Sequence, residues 1–429
     1  MTPASRASRR TFLGTSSRVA GAAAVMQAAF APAVHAAGSD RLRVGLVGCG
    51  GRGSGAAAQA LSTSGDVVLT AVGDMFPDRI DQSLRSLQAM DEIAAKVDVP
   101  ADRRFTGFEA YRQVIDSGVD VVLLATPPHF RPLHMEAAVA AGKHIFAEKP
   151  CAVDAPGVHR VLAACEQAKA KGLSVVSGLT LRYYEPFREA VKRIHAGAIG
   201  QVRAILANDY RGPLWSLPRK PHWTDMEWQL RNWPYFTWLS GDFNVEQHVH
   251  NLDLAVWALG ERYPVKAIGT GGQQVRKAPG NIFDHHSVVY EYDDGTRLVS
   301  NCRQIPGCKQ DIGVVALGSK GTADLSEKKG GVQITGGQPW AFDGDSGNAY
   351  QVEHDELFKS VRDGKPINNG ESLAKSTLLA IMGRLATYTG QEITWDMAWN
   401  SKQDLTPASY ELGPLPMPPV AMPGVTKYS

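Results

Sequence analysis

Cysteine is scarce in this chain and never paired at short range: five cysteines are spread over 429 residues with no Cys-x-x-Cys step. That excludes a zinc ribbon or a dithiol redox motif, and no metal site is expected. Neither sign of charge is in excess. With 45 Lys and Arg against 43 Asp and Glu, the formal charge is +2, and nucleic acid is not an expected partner. Long hydrophobic runs are also missing: the alanine-rich stretch from about Val19 to Phe30 is shorter than the roughly 20 residues of a spanning helix, so no stable membrane anchor is expected. What remains is ordinary globular composition, 44% apolar and 21% charged, in a chain long enough for about two or three domains.

The first 36 residues are specific. Ser8-Arg9-Arg10-Thr11-Phe12-Leu13 precedes the apolar stretch, and Val34-His35-Ala36 forms a small-residue site before Ala37. This pattern predicts a twin-arginine signal peptide over residues 1–36, cleaved near Ala36, with the twin-arginine export machinery as partner and the periplasm as destination. Cleavage removes four arginines and no acids, taking the formal charge from +2 to −2. That route moves proteins already folded in the reducing cytosol, so Cys302 and Cys308, near neighbours in sequence, are expected as free thiols.

A second motif, Gly48-Cys49-Gly50-Gly51-Arg52-Gly53, follows the apolar run Arg43 to Val47 and precedes small residues from Ala56 to Leu61. Strand, glycine turn and helix stand in dinucleotide-binding order, and the next apolar run, Asp66 to Val72, ends at Gly73-Asp74, 21 residues beyond Gly53. Gly48, Gly50, Gly51, Arg52, Gly53 and Asp74 are therefore expected to bind the cofactor. Asp74 favours NAD by repelling a 2′-phosphate, while Arg79 keeps NADP compatible. Further strands at Val119 to Ala125 and His144 to Ala147 and helices at Pro132 to Ala141 and Val158 to Lys171 complete a Rossmann domain over residues 40–177. Its strand ends bring Thr126, Pro127, Glu148 and Lys149 to the cofactor. A dinucleotide used outside the inner membrane has no recycling pool, so it is expected to be loaded before export, held tightly and regenerated within the catalytic cycle.

From residue 178 the pattern changes to short strands near Val202 to Asn208, Val265 to Gly269, His286 to Tyr292, Thr296 to Cys302 and Gly313 to Leu317. Turns such as Asp293-Asp294-Gly295 predict an α+β domain over residues 178–400 with an open, mainly antiparallel sheet; the whole chain is then α/β followed by α+β. A helix is expected over Leu373 to Thr387. Residues 401–429 hold six prolines and should form an extended tail packed on a surface.

Three segments resemble the glucose-fructose oxidoreductase, inositol dehydrogenase and MocA family. They are Val44-Gly45-Leu46-Val47-Gly48-Cys49-Gly50; Ala125-Thr126-Pro127-Pro128 through His134 and Ala141-Gly142-Lys143-His144 to Glu148-Lys149-Pro150; and Gly241 to Asp253. In the last, Glu246, His250 and Asp253 are similar to the family's D-x-x-x-H-x-x-D pattern, with Glu246 in place of aspartate and His248 where glycine is frequent. The resemblance implies a Rossmann domain followed by an open-sheet domain, an active site between them, homo-oligomerisation through the sheet, and sugar or polyol substrates.

Moving a hydride from a carbinol carbon requires a base for the hydroxyl proton and a positive group for the developing alkoxide. His250 and Lys149 are the candidates, with Glu246 orienting the imidazole or contacting a sugar hydroxyl. Arg182 and Tyr183 are expected on the substrate side, Asp253 in a structural pairing, and His129 against substrate or as a helix cap. Trp215, Trp223, Trp228, Trp233 and Trp238 fit sugar stacking and interface packing equally. The leading reading is an exported carbohydrate oxidoreductase with tightly bound NAD(P). Alternatives are an NAD-dependent glycoside hydrolase working by transient oxidation and elimination, and a non-catalytic carbohydrate-binding protein.

Overall fold

The computed structural model describes residues 41–277, 279–326 and 331–429. The export signal lies outside the described residues. Six parallel strands, β1 (Leu42–Val47), β2 (Val67–Asp74), β3 (Arg104–Thr106), β4 (Val121–Leu124), β5 (His144–Ala147) and β6 (Val175–Ser177), form the first sheet in the order β3-β2-β1-β4-β5-β6. Val121 to Leu124 are fully buried, as expected of a central strand covered by helices on both faces. The order reverses between β1 and β4, and a ligand crevice opens there. Gly48 follows one of these strands and Ala125-Thr126 the other.

The flanking helices are α1 (Gly51–Ser62), α2 (Pro77–Gln88), α3 (Ala110–Asp116), α4 (Arg131–Ala140) and α5 (Ala155–Ala170). Asp154 caps the last of these by accepting from the Gly157 amide at 2.9 Å.

After α6 (Glu185–His195) the chain builds a second sheet from β7 (Val202–Arg211), β8 (Lys266–Gly272), β9 (His285–Glu291), β10 (Arg297–Gln304), β11 (Asp311–Gly318), β12 (Gly321–Leu325), β13 (Gln333–Gly336), β14 (Trp340–Ala341) and β15 (Ile393–Thr394). Their order is β14-β13-β12-β11-β7-β10-β9-β8-β15. Among the described residues only β7 and β10 pair in parallel; the other neighbours are antiparallel. Between β7 and β8 lie α7 (Asp225–Arg231), α8 (Thr237–Ser240), α9 (Phe243–Glu246) and α10 (Val249–Ala258).

Two late helices tie the sheets together. α11 (Ala349–Arg362) returns to the first sheet, where Leu357, Phe358 and Val361 join Leu42, Val44 and Leu46 in one core. It is absent from the elements expected above, because its buried side also carries Glu353 and His354, which break the apolar stripe. α12 (Gly370–Thr389) is buried along nearly its whole length, packed against α5, α10 and β8. α13 (Trp395–Asn400) precedes a tail without helix or strand, whose Leu405 and Leu415 pack beside Trp238 and Phe243.

Candidate active site

The glycines of the first motif divide into two roles. Gly48 adopts φ +98°, and a Cβ there would fall 2.6 Å from the Thr126 backbone; a Cβ on Gly53 would fall 1.8 Å from the Gly48 carbonyl oxygen. These two close the turn. Gly50 and Gly51 face open space, with nothing within 4 Å of a Cβ, and leave the start of α1 clear. Its first amides have no intrahelical acceptor and, with the helix dipole, form an anion site suited to a pyrophosphate.

Asp74 ends β2 beside this cradle. Its carboxylate accepts from the amides of Cys49 at 2.7 Å and Phe76 at 3.0 Å. Burial raises its pKa above the ordinary value, against the pull of those amides and Arg79. Asp74, Met75, Phe76 and Arg79 line one end of the cleft, and Thr126, Pro127, Phe130 and His134 line the other. Cys302 and Cys308 are both free thiols, the first buried and the second exposed.

Arg52 does not offer its side chain to a phosphate. Its Nε donates to Glu148, Nη2 to Glu353 at 3.0 Å and Nη1 to Gln59 at 2.9 Å, and the guanidinium lies 4.7 Å from the Tyr350 ring centre. Glu148 is likewise engaged: beyond Arg52, its carboxylate accepts from the Lys149 amide at 3.2 Å, and its carbonyl accepts from the buried Arg131 at 2.9 Å. Both residues brace the wall between the cofactor cleft and its neighbour. Glu353 is the third member of this brace, missed by sequence because it arrives from α11. Burial, with Glu148 close by, holds its pKa well above the ordinary range, while the Thr180 hydroxyl donates to it at 3.2 Å.

The neighbouring cleft gathers Lys149, Glu246 and His250. Lys149 Nζ donates to the Glu246 carbonyl at 2.5 Å and to Glu246 Oε1 at 2.8 Å. Glu246 thus pairs with the lysine rather than with the His250 ring. It closes the single turn of α9, whose N-cap Asp242 sits at φ +80°. A buried network holds that strained residue: Tyr388 Oη donates to one oxygen at 2.6 Å, and His286 Nε2 lies 3.1 Å from the other.

His250 stands in the first turn of α10 with its Nδ1 buried and, among the described residues, without a hydrogen-bond partner. Desolvation, reinforced by the charges of Lys149, Arg211 and Arg52, holds its pKa well below 6.5. The ring is neutral at physiological pH and can accept a proton. The lysine ammonium beside it can stabilise an alkoxide.

Arg182 and Tyr183 do not join this group, which corrects the expectation of substrate contact. Arg182 is held by Asp253 through two 2.8 Å hydrogen bonds and by Glu261 at 2.8 Å, while the Tyr183 hydroxyl donates to Asn369 at 2.9 Å. Their polar atoms are consumed in holding the two halves together. His129 meets the tail: its Nε2 lies 2.7 Å from the Tyr410 hydroxyl, and burial lowers its pKa to about 4. Trp215 and Trp233 line the cofactor cleft, Trp233 also lines the second, and Trp238 is buried with its indole donating to Gln229 at 2.7 Å. Sequence also missed Arg211 and Gln247, which line the second cleft; neither carries a motif signal.

Comparison with known proteins agrees with this geometry. Residues 42–176 match the oxidoreductase family model with an NAD-binding Rossmann fold, and residues 187–324 match the GFO/IDH/MocA C-terminal domain. An inositol 2-dehydrogenase of Rhizobium meliloti (strain 1021) is 28% identical over 296 residues, covering 67% of this chain and 76% of the relative. The fold is similar to levoglucosan dehydrogenase in complex with NADH and levoglucosan, with TM-score 0.65 and 17% identity over 83% of this chain and 99% of that one. It is also similar to an aldose-aldose oxidoreductase of Caulobacter crescentus complexed with glycerol, with TM-score 0.63 and 19% identity over 82% and 99%. With a glycine cradle at the switch point and a lysine and neutral histidine beside it, the chain belongs to the GFO/IDH/MocA family of NAD-binding oxidoreductases.

Proposed function

We propose that this protein is an exported carbohydrate oxidoreductase that keeps its NAD bound and regenerates it within each cycle. The observation that carries the reading is the pairing of the Lys149 ammonium with Glu246 in the same cleft as the neutral ring of His250. Gly48 to Gly53 and Asp74 would hold NAD, which supplies hydride-acceptor and hydride-donor chemistry. His250 takes the carbinol proton through the part of its ring that lines the cleft. Lys149 stabilises the alkoxide, and Glu246 fixes the ammonium.

Retention is supported by a cover over the dinucleotide cleft. Arg231 of α7 donates to Asp78 at 3.0 and 3.1 Å, and its guanidinium lies 3.8 Å from the Phe76 ring centre. Trp215 and Trp233, near the same helix, line the cleft. The tail braces α7 from outside: Met226 donates to the Gly413 carbonyl at 3.2 Å, and the Leu415 amide to Asp225 at 3.1 Å. The aldose-aldose oxidoreductase among the similar structures fits a cycle with two carbohydrates, and the twin-arginine pattern supports passage through that machinery to the periplasm.

Self-association is part of the same reading. Ile268, Val289, Val299, Leu206 and Val315 lie in register across five strands on the open face of the second sheet. Ile268 is 54% exposed and Leu206 38%. Such a row favours a homo-oligomer joined through this face.

The test is to purify the mature protein without added cofactor, denature it, and identify the released nucleotide by mass spectrometry. Stoichiometric NAD, with one carbohydrate oxidised and another reduced, is the expected result. An empty protein that retains no added dinucleotide contradicts the reading. Release of an aglycone without net redox change would assign the glycoside hydrolase chemistry instead.

A further inference from the structure

We infer that the carbohydrate taken by this cleft carries a carboxylate, recognised by Arg211 and Gln247. The inference rests on the oxidoreductase reading above and adds the chemical class of its substrate.

Arg211 ends β7 and lines the cleft together with Lys149 and His250. Its Nε donates to Asp209 at 2.5 Å, and Asp209 is buried behind it. The terminal Nη groups donate to no partner among the described residues, and the side chain is 31% exposed. Asp209 therefore fixes the guanidinium by one edge and leaves the other edge to a ligand.

Gln247 presents the same polarity, for a reason set two residues along a hydrogen-bond relay. Arg276 Nη2 donates to Gln304 Oε1 at 2.9 Å. A guanidinium has donors and no acceptor, so Gln304 must turn its oxygen to Arg276 and its nitrogen to the other side. That nitrogen donates to Gln247 Oε1 at 2.7 Å. The oxygen of Gln247 is thereby turned to Gln304, and its Nε2 is the donor left for the cleft.

Arg211 and Gln247 thus offer an excess of N–H donors: the Arg211 Nη groups and Gln247 Nε2, against one Gln247 oxygen that already accepts from Gln304. A sugar hydroxyl bound only here would have its proton unmatched, whereas a carboxylate accepts on both oxygens and carries the charge that complements a guanidinium edge. Two acceptors of the cleft, Glu246 and the His250 ring, stand with Lys149 where the reacting hydroxyl is handled. One part of the cleft binds an acid group, and another performs proton transfer on a carbinol.

Matched pairs test this: D-glucuronate with D-glucose, D-galacturonate with D-galactose, and D-gluconate with D-glucitol. Binding to the NADH-loaded protein is read by calorimetry, and turnover with NAD by nicotinamide absorbance. In at least one pair the acid should bind about 10- to 100-fold more tightly than its neutral partner, the range expected for charge-assisted hydrogen bonds. Arg211→Met and Gln247→Leu should each remove most of that ratio. NADH loading checks that each variant is folded, and Gln247→Leu carries the test if Arg211→Met does not fold.

Neutral partners that bind as well as the acids, or variants that weaken both members of a pair alike, overturn the inference and leave the oxidoreductase reading standing. Arg211-dependent acid binding with no absorbance change for any carbohydrate supports the anion site and sinks the redox reading.

Discussion

The dinucleotide cleft depends at its glycine turn on backbone between residues 48 and 53, whereas its neighbour is shaped by side chains from positions 149, 211, 246–250 and 350–353. In the first, the decisive atoms are the ones glycine omits: a Cβ on Gly53 has no room beside the Gly48 carbonyl. In the second, the decisive atoms are charged groups held by partners far away in sequence, such as Arg52 between Glu148 and Glu353. Cofactor binding should therefore be sensitive to volume, and carbohydrate chemistry to charge.

The largest effect that separates the two clefts is expected at Lys149. Lys149→Met should lower turnover about a thousandfold while calorimetry still detects dinucleotide binding. Loss of both together would show that the clefts are not separable.

Gly53→Ala should act in the opposite sense. Its Cβ would lie 1.8 Å from the Gly48 oxygen, so the turn must open, with a stability cost of about 1–3 kcal/mol and a clear loss of dinucleotide affinity. Gly51→Ala, which meets nothing within 4 Å, should change the thermal midpoint far less. Equal losses from the two substitutions would remove the distinction between turn-closing and space-leaving glycines.

Acid should weaken the second region through its buried histidines. His248 is fully buried, with Nε2 2.8 Å from the Ser300 hydroxyl, and burial lowers its pKa from 6.5 to about 4; His250 is shifted in the same direction. In the unfolded chain these rings bind protons below 6.5, while the folded protein keeps them neutral. The stability they contribute is complete above pH 6.5 and is lost as pH falls toward about 4. Thermal midpoints across that window should fall, and His248→Gln should flatten the slope.

The smallest effect is expected at the cover. Arg231→Ala removes the contacts with Asp78 and Phe76 and should speed dinucleotide release about fivefold, measured by displacement of bound NADH.

Sequence order made the first cleft legible because its parts are local: a strand, a glycine turn, a helix and an acid 21 residues on. Lys149, Glu246 and His250 were legible as a set through family spacing. Arg211, Gln247 and Glu353 were not, since each depends on a partner brought in by tertiary structure: Asp209 behind a strand end, the Arg276–Gln304 relay, and the return of α11. Arg182 and Tyr183 misled for the same reason. Their position after β6 suggests the cleft, but Asp253, Glu261 and Asn369 arrive from later segments and occupy their polar atoms.

In the proposed reaction hydride passes between a carbohydrate carbon and a nicotinamide held in the glycine cradle. The most direct measurement is a single turnover with substrate deuterated at its carbinol carbons, followed by denaturation and mass spectrometry of the nucleotide. Deuterium is expected in the nicotinamide, and none in Lys149→Met. Product formed with no label in the nucleotide would contradict it.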